Sequence, residues 1–238
     1  MALKKNDKKQ DANQSFLAQR RNIINENSSF GVQEAYKTLR TNLRFAVNRK
    51  GCRRFCVTSG MAGEGKSITI LNLAISFAQV GSKVLLIDAD MRRPNLARLL
   101  IENGAPGLSN VLADLCDVQQ AVRHEIRPNL DIIFSGEIPP NPSELLSGES
   151  MERLIAEMSQ KYDYIFVDAP PVGIVADACL VGNLVDGVLF VVRQNQSNKD
   201  AVGNAVNQLQ IADNKIVGFA FNGVTDEPKY APYYEKNL

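Results

Sequence analysis

The chain has 238 residues, 45% of them hydrophobic, and carries 27 Lys and Arg against 26 Asp and Glu, for a formal net charge of +1. A chain of this length and composition can bury the core of one α/β domain. Its sequence has no apolar run near the roughly 18 residues of a membrane span, and its polar start has no signal-peptide pattern, so a cytoplasmic protein is expected. The four scattered cysteines are expected to be reduced thiols.

The balanced total hides an uneven distribution of charge. Up to Arg54 there are 13 basic and 4 acidic side chains, whereas the remainder has 14 and 22. This asymmetry favours either self-association or a basic arm that touches an anionic partner. Residues 1–28 are polar and are predicted to form a flexible basic leader. No aromatic or groove-reading pattern accompanies the basic residues, so no nucleic-acid partner is expected.

Periodicity predicts the order of helices and strands. An amphipathic helix is predicted over residues 30–48, and its polar stripe, which includes Glu34, Lys37 and Arg40, indicates a solvated face on spacing alone. Short β-rich runs and helical segments then alternate, which predicts an α/β fold with a mostly parallel sheet wrapped by helices on both faces. The predicted strands are 55–58, 84–87, 130–134, 164–167, 187–192 and 216–221. The predicted helices between them are 66–80, 94–101, 149–160, 176–183 and 199–210.

The strongest motif follows the first predicted strand, where residues 60–67 read G-x-x-x-x-G-K-[ST]. Glycines let successive backbone N–H groups turn toward a polyphosphate, Lys66 supplies a charge for the β- and γ-phosphates, and the Ser67 hydroxyl can ligate Mg²⁺. The sequence therefore predicts a nucleotide site. Its predicted lining is Gly60, Met61, Ala62, Gly63, Glu64, Gly65, Lys66, Ser67 and Ile68.

Acidic residues end two of the predicted strands. Asp88 and Asp90 follow the run 84–87, and Asp168 follows the run 164–167. Because carboxylates at the ends of buried parallel strands point into the ligand crevice, Asp168 is predicted to bind Mg²⁺ directly or through water. One of Asp88 and Asp90 is expected to hold a second metal contact or to accept a proton. Helix capping by these aspartates is the structural alternative.

These three motifs, in this order, resemble those of the bacterial protein-tyrosine kinases of the stand-alone type. The resemblance runs from Glu34 to the C-terminus and rests on residues 59–67 (Walker A), 84–92 (D-x-D-x-R, Walker A′) and 165–171 (D-x-P-P, Walker B). Two further segments, 107–112 and 135–146, share it but are less diagnostic of chemistry. The resemblance implies a P-loop NTPase-like fold and a kinase that uses ATP and Mg²⁺ to phosphorylate tyrosine.

The resemblance also implies roles for individual residues. Lys66 binds the β- and γ-phosphates, and Asp88 is the base that takes the tyrosine proton. Ser67, Asp90 and Asp168 act on Mg²⁺ or its waters. Asn222, just after the last predicted strand, is placed to contact the adenine edge, and a simple turn residue is the alternative there.

The same resemblance divides the chain into the leader, a kinase domain at 29–223 and a tyrosine-rich tail at 224–238. Tyr230, Tyr233 and Tyr234 in this tail are the predicted phosphoacceptors, modified in trans by a neighbouring subunit because the tail is short. In the family, an E-x-x-R-x-x-R motif on the first helix joins subunits into a ring. The matching residues here are Glu34, Lys37 and Arg40, so a lysine replaces the middle arginine. Ala62 likewise stands where the family usually has proline.

The resemblance also implies a cellular role for the protein. It implies control of capsule or exopolysaccharide synthesis, with substrates among the proteins of that synthesis and a cognate phosphotyrosine phosphatase. It also implies a membrane adaptor whose cytoplasmic tail activates the kinase and recruits it to the inner face of the membrane. The alternative is a deviant Walker-type positioning or partition ATPase that phosphorylates no protein. Those ATPases carry a signature lysine where this chain has Met61, and they lack a tyrosine tail.

Overall fold

The computed structural model describes residues 17–224 of the chain. Seven strands form one sheet in the order β3-β4-β2-β5-β1-β6-β7. The strands are β1 (Arg53–Ser59), β2 (Val84–Asp88), β3 (Val122–Arg127), β4 (Leu130–Ile133), β5 (Tyr164–Asp168), β6 (Gly187–Arg193) and β7 (Ile216–Asn222). The helices with defined bounds are α1 (Phe30–Ala46), α2 (Lys66–Ala78), α3 (Leu96–Leu100), α4 (Leu108–Leu112), α5 (Val118–Ala121), α6 (Pro142–Ser147), α7 (Glu149–Met158), α8 (Asp177–Gly182) and α9 (Lys199–Ile211).

The sheet is parallel except at one edge. Strand β1 lies between β5 and β6, β2 lies between β4 and β5, and β7 extends the sheet beyond β6, all with parallel pairing. Strand β3, which the sequence pattern does not predict, pairs antiparallel with β4. The predicted fold class, a mostly parallel sheet wrapped by helices, is confirmed.

Two apolar clusters fill the space on the two faces of the sheet. Phe55 and Val57 of β1 pack with α2 in one cluster, whereas Cys56 between them belongs to the other cluster, which α7, α8 and α9 cover. Alternate residues of a strand point to opposite faces, so strands covered on both sides must be apolar at consecutive positions. This is why the runs at β1, β2 and β5 are continuous in the sequence.

The part of the predicted leader that the structure describes differs from the prediction. Residues 17–21 are helical, and Ile23 and Ile24 are 7% and 5% exposed in the cluster that contains α2. The backbone N–H of Ile24 donates to Asn72 Oδ1 at 2.9 Å, and Asn72 Nδ2 donates to the Asn22 carbonyl at 2.8 Å. Residues 22–24 are therefore packed on α2, while residues 1–16 lie outside the described part of the chain. Over the described residues, the structure contains no helix that is both long and apolar enough to cross a membrane.

Candidate active site

The loop between β1 and α2 has the backbone geometry of a phosphate-binding loop. Gly63 and Gly65 have φ values of 86° and 94°, in the left-handed region that favours glycine. At Gly65 this φ disfavours any other residue, and a Cβ there would displace the Asn222 side chain, whose Nδ2 would lie 2.0 Å away. Helix α2 begins directly after it at Lys66, and its first N–H groups have no intrahelical acceptor. The loop can therefore present backbone donors to a polyphosphate.

Side chains from β6 and the loop after it hold the phosphate-binding loop in place. Arg193 Nη1 donates to the Gly63 carbonyl at 2.9 Å. The Glu64 side chain, in a residue that is 1% exposed, accepts from the Met61 N–H at 2.8 Å and from the Ser197 hydroxyl. Glu64 was predicted only as part of the nucleotide lining. In the structure its carboxylate points inward and braces the loop.

Asn222 lies against the same loop. Its Nδ2 donates to the Glu64 carbonyl at 3.0 Å, and its Oδ1 accepts from the N–H of Gly223 at 2.8 Å. The side chain thus closes the turn after β7 and fixes the end of that strand to the phosphate-binding loop. A contact between Asn222 and adenine remains a prediction.

The acids predicted at two strand ends converge because β2 and β5 are neighbours in the sheet, with Asp88 paired to Asp168 in register. Asp88 is fully buried, and its carboxylate accepts from the N–H groups of Asp90 at 3.2 Å and Leu96 at 3.3 Å. Burial, together with the charge of Asp168, raises the pKa of Asp88 to about 8. Because Leu96 begins α3, Asp88 also makes the helix-end contact that the capping alternative requires.

Lys66 is the cation among these acids. Its Nζ lies 2.7 Å from Asp90 Oδ2 and 3.7 Å from Asp168 Oδ1. Both carboxylate oxygens of Asp168 are buried without a hydrogen-bond partner. Burial raises the pKa of Asp168, although the nearby Lys66 and Ser67 act in the opposite direction. The site thus concentrates negative charge that one ammonium group only partly balances.

The donor set fits Mg²⁺ bound together with a nucleotide. Three oxygen donors of the type that Mg²⁺ prefers lie here: the buried Asp168 carboxylate, which has no hydrogen-bond partner, the Ser67 hydroxyl at the start of α2, and Asp90. Within residues 17–224, no group of three or more His, Cys, Asp or Glu side chains is placed so that it could hold a metal ion. Mg²⁺ usually keeps several waters and shares its remaining positions with substrate phosphates.

Comparison with known proteins identifies the family. An AAA domain family model matches residues 53–217. Tyrosine-protein kinase YwqD of Bacillus subtilis is 39% identical over 206 residues, which cover 86% of this chain and 87% of that protein. The chain belongs to the bacterial protein-tyrosine kinase family. Tyrosine-protein kinase CpsD of Streptococcus agalactiae serotype Ia is 34% identical, with 82% of this chain and 84% of that protein covered.

Solved structures agree with this assignment. The kinase domain of Escherichia coli tyrosine kinase ETK matches with a TM-score of 0.78 and 34% identity, over 84% of this chain and 79% of that one. The chimerical protein CapA2B2 matches with a TM-score of 0.79 and 32% identity, over 84% and 88%. The septum site-determining protein MinD of Pyrococcus horikoshii, complexed with Mg-ADP, has a TM-score of 0.62 at 24% identity over 76% and 75%, which shows the fold alone. The protein is a bacterial tyrosine-protein kinase with a nucleotide-binding P-loop.

The three residues predicted to join kinase subunits do not form one free stripe on α1. Lys37 Nζ and Glu34 Oε1 form an exposed ion pair at 2.7 Å. Arg40 turns toward α2 instead, and its Nη1 donates to the carbonyl of Ser76 at 2.6 Å and to its hydroxyl at 2.9 Å. Arg40 is thus engaged within its own subunit. The predicted phosphoacceptors Tyr230, Tyr233 and Tyr234 lie outside the described residues.

Sequence reasoning missed two residues that contact the kinase's Walker A′ motif. Arg92, the last residue of D-x-D-x-R, forms an ion pair with Asp177 at 2.8 Å and a hydrogen bond with Ser143 at 2.8 Å. Asp177 begins α8 and resembles any acidic residue in the first turn of a helix. No spacing in the sequence indicates that it contacts a residue 85 positions earlier.

Proposed function

We propose that this kinase transfers the γ-phosphate of ATP to tyrosine hydroxyls with Mg²⁺ as cofactor. The observation that carries the proposal is the placement of Lys66, Asp88 and Asp168 together beside a glycine loop of phosphate-binding geometry. Ser67, Asp90 and Asp168 would hold Mg²⁺. The ion, when bound, neutralises phosphate charge and orients the transferred group.

Asp88 is the proposed base. The tyrosine hydroxyl has an ordinary pKa near 10 and must lose its proton as it attacks. A carboxylate whose pKa burial and Asp168 raise to about 8 is a stronger proton acceptor than an ordinary aspartate. The lone ammonium of Lys66 lowers the pKa of Asp88 against these effects. Keeping Asp88 ionised therefore depends on positive charge close to it.

Lys66 would exchange partners during binding. In the structure its ammonium contacts Asp90 at 2.7 Å. Phosphates in the loop would compete for that ammonium, since Lys66 begins α2 and adjoins the loop. Its departure would leave Asp90 and Asp168 to bind the metal. The positive charge lost from the acids would thus be replaced when Mg²⁺ and nucleotide bind together.

We further propose that Tyr230, Tyr233 and Tyr234 are phosphorylated in trans. Tyr230 is eight residues beyond Asn222, which lies against the phosphate-binding loop of its own subunit. An extended segment of that length spans about 26 Å, so length alone does not exclude the subunit's own crevice. The trans proposal therefore rests on assembly of the family's subunits into a ring, in which a tail enters a neighbour's site.

Mapping of phosphotyrosine by mass spectrometry tests both proposals. The purified chain with Mg-ATP, with and without a peptide carrying the cytoplasmic tail of a candidate adaptor, should gain phosphate on the tail tyrosines. In a mixture, Lys66→Met protein with an intact tail should receive phosphate from an active version that ends at residue 224. An absence of phosphotyrosine in every sample would refute the kinase proposal. Labelling of wild type at a rate independent of concentration, with none on the Lys66→Met partner, would refute the trans step.

We also propose how the subunits assemble and where the kinase acts in the cell. Glu34, Lys37 and Arg40 of α1 are the residues proposed to meet a second subunit, and Glu34 and Lys37 form an exposed ion pair there. The kinase is proposed to act in the cytoplasm, at the inner face of the membrane, where an adaptor recruits it. Its role there would be control of capsule or exopolysaccharide synthesis, with proteins of that synthesis as substrates and a phosphatase as antagonist. Light scattering of a Glu34→Ala, Lys37→Ala variant tests the interface, and an assembly unchanged from wild type would exclude it.

The positioning or partition ATPase is less well supported. Met61 stands where such ATPases carry their signature lysine. The Met61 backbone N–H donates to the Glu64 carboxylate. The likeness to MinD, at 24% identity, concerns the fold alone. Steady ATP hydrolysis without any phosphotyrosine would favour this alternative over the kinase.

A further inference from the structure

Arg92, Ser143 and Asp177 form a closed set of hydrogen bonds, which we call the Arg92 clamp. Arg92 donates from Nε to Asp177 Oδ2 at 2.8 Å and from Nη2 to Oδ1 at 3.2 Å. The same Nη2 donates to the Ser143 hydroxyl at 2.8 Å, and that hydroxyl donates to Asp177 Oδ1 at 2.6 Å. Asp177 is fully buried, and these hydrogen bonds satisfy both of its carboxylate oxygens.

The clamp connects the segments that follow the two strand ends carrying Asp88 and Asp168. Arg92 lies four residues after Asp88 in the loop that follows β2. Asp177 lies nine residues after Asp168, beyond the loop that follows β5. Strands β2 and β5 are neighbours, with Asp88 and Asp168 at paired positions. The Arg92 clamp therefore joins the loop after β2 to the start of α8, which follows β5.

Ser143 lies in residues 135–146, which pack against residues 107–112; both segments are less diagnostic of chemistry in the sequence. A Cβ on Gly107 would lie 2.3 Å from the backbone nitrogen of Gly136, so residues 107–112 and 135–146 pack with their backbones in contact. The Ser109 hydroxyl donates to the Glu137 carbonyl at 2.6 Å. Helix α6, which carries Ser143, follows this brace and packs against α8.

We propose that Ser143 and Asp177 are positioning residues that act through Arg92. By fixing Arg92, they hold the loop that follows Asp88 at the end of β2 against the start of α8, beyond Asp168 at the end of β5. The inference rests on the proposed function, because it assigns these residues a part in phosphate transfer. They do not touch the reacting atoms themselves.

The clamp should affect transfer more than nucleotide binding. Its hydrogen bonds join the loop after β2 to α6 and α8. Arg193, Ser197 and Asn222, by contrast, hold the phosphate-binding loop. A misplacement of about 1 Å at reacting groups can lower a rate about a hundredfold. Loss of one hydrogen bond to a charged group corresponds to roughly tenfold or more. Ser143→Ala should therefore lower kcat about tenfold and leave KM for Mg-ATP within about twofold.

Steady-state kinetics on the full chain test this expectation, with a peptide of residues 225–238 as acceptor. Ser143→Thr keeps the hydroxyl and should restore most of kcat. Ser147→Ala is the matched control, because that hydroxyl, on the same helix, donates only to the Glu144 carbonyl at 3.2 Å. An unchanged kcat in Ser143→Ala, an effect confined to KM for Mg-ATP, or an equal loss in Ser147→Ala would overturn the inference.

Amide hydrogen exchange on the ligand-free chain gives a second measurement that needs no kinase activity. In Ser143→Ala and in Arg92→Lys, which loses the bidentate fork, exchange should accelerate in residues 89–95 and 169–176. Exchange in residues 60–67 should stay as in wild type. If wild type and variants all lack kinase activity, the proposed function fails, and the exchange rates still decide whether the clamp orders the loops. Unchanged exchange in both loops would refute the Arg92 clamp.

Discussion

Replacement of Lys66 by Met should destabilise the ligand-free protein as well as abolish phosphate transfer. The Lys66 ammonium contacts Asp90 at 2.7 Å and Asp168 at 3.7 Å, and the Asp168 side chain is 1% exposed. Burial raises the pKa of both Asp88 and Asp168, and the charge of Lys66 opposes that rise. Without the ammonium, both pKa values should rise further, and negative charge in the crevice becomes more costly.

The cost of protonating the buried carboxylates is the upper limit of the unfolding free energy that Lys66→Met can lose. A carboxyl of ordinary pKa near 3.9 costs about 4 kcal/mol to hold in its neutral form at pH 7. Part of that cost is already present in the wild type, because burial raises the pKa of Asp168 even with Lys66 nearby. Burial also raises the pKa of Asp88, so part of its cost is likewise present in the wild type. The expected loss of unfolding free energy is therefore about 2–3 kcal/mol at pH 7.

The pH dependence follows from the direction of these shifts. When a folded-state pKa lies above the unfolded value, the folded protein binds more protons, so its stability falls as pH rises. The deficit of Lys66→Met relative to wild type should thus be largest above about pH 7 and vanish near pH 4.

Urea unfolding in EDTA, at about pH 7.5, 6 and 5, measures this deficit. Lys161→Met is the control, because Lys161 forms an exposed ion pair with Glu157 at 2.7 Å. The unfolding free energy lost in Lys161→Met should stay below about 1 kcal/mol at every pH. A deficit in Lys66→Met that is the same at all three pH values, or no larger than that of the control, would refute the reasoning.

Three further substitutions test separate parts of the molecule. Asp88→Asn should retain Mg-nucleotide binding by calorimetry and lose phosphotyrosine formation, whereas loss of both would assign Asp88 to the metal. Gly65→Ala should abolish nucleotide binding, because its φ is 94° and the new Cβ would meet Asn222 Nδ2 at 2.0 Å; binding at wild-type affinity would contradict this. Asp186→Asn should lower the free energy of unfolding by about 1–3 kcal/mol at pH 7, measured by urea unfolding. Burial raises the pKa of Asp186, but hydrogen bonds from Arg54 more than offset that effect and the pKa is lowered. The difference in unfolding free energy should therefore fade as pH drops below about 4, and a difference that persists there would be contrary evidence.

The sequence predicted the elements whose pattern follows from their own burial. Strands β2 and β5 are covered on both faces, so each is apolar at consecutive positions and ends at a conspicuous aspartate. The phosphate-binding loop was equally visible, because its glycines and Lys66 are required by local backbone geometry. Neighbouring parallel strands end at the same edge of the sheet. That rule alone predicts that Asp88 and Asp168 lie close together, and the two are paired in register.

Elements defined by distant partners escaped prediction. Strand β3 pairs with one neighbour at the sheet edge and is largely exposed, so it shows no apolar run. Helices α4, α5 and α6 have five, four and six residues, too few to display a helical period. Ile23 and Ile24 gave no periodic signal, yet both are buried beside α2. Arg40 looked like a surface residue because nothing in its spacing indicates the bond to Ser76.

The two halves of the site are supported by separate sets of side chains. Arg193, Ser197 and Asn222 hold the loop that would receive the phosphates. The Arg92 clamp holds the segments that follow the two strand ends carrying Asp88 and Asp168. Lys66 joins the halves, because it begins α2 beside the phosphate-binding loop and contacts Asp90 across the crevice at 2.7 Å. Substitutions on the first side should therefore weaken nucleotide binding, those in the clamp should slow transfer, and a change at Lys66 should affect both together with the stability of the ligand-free fold.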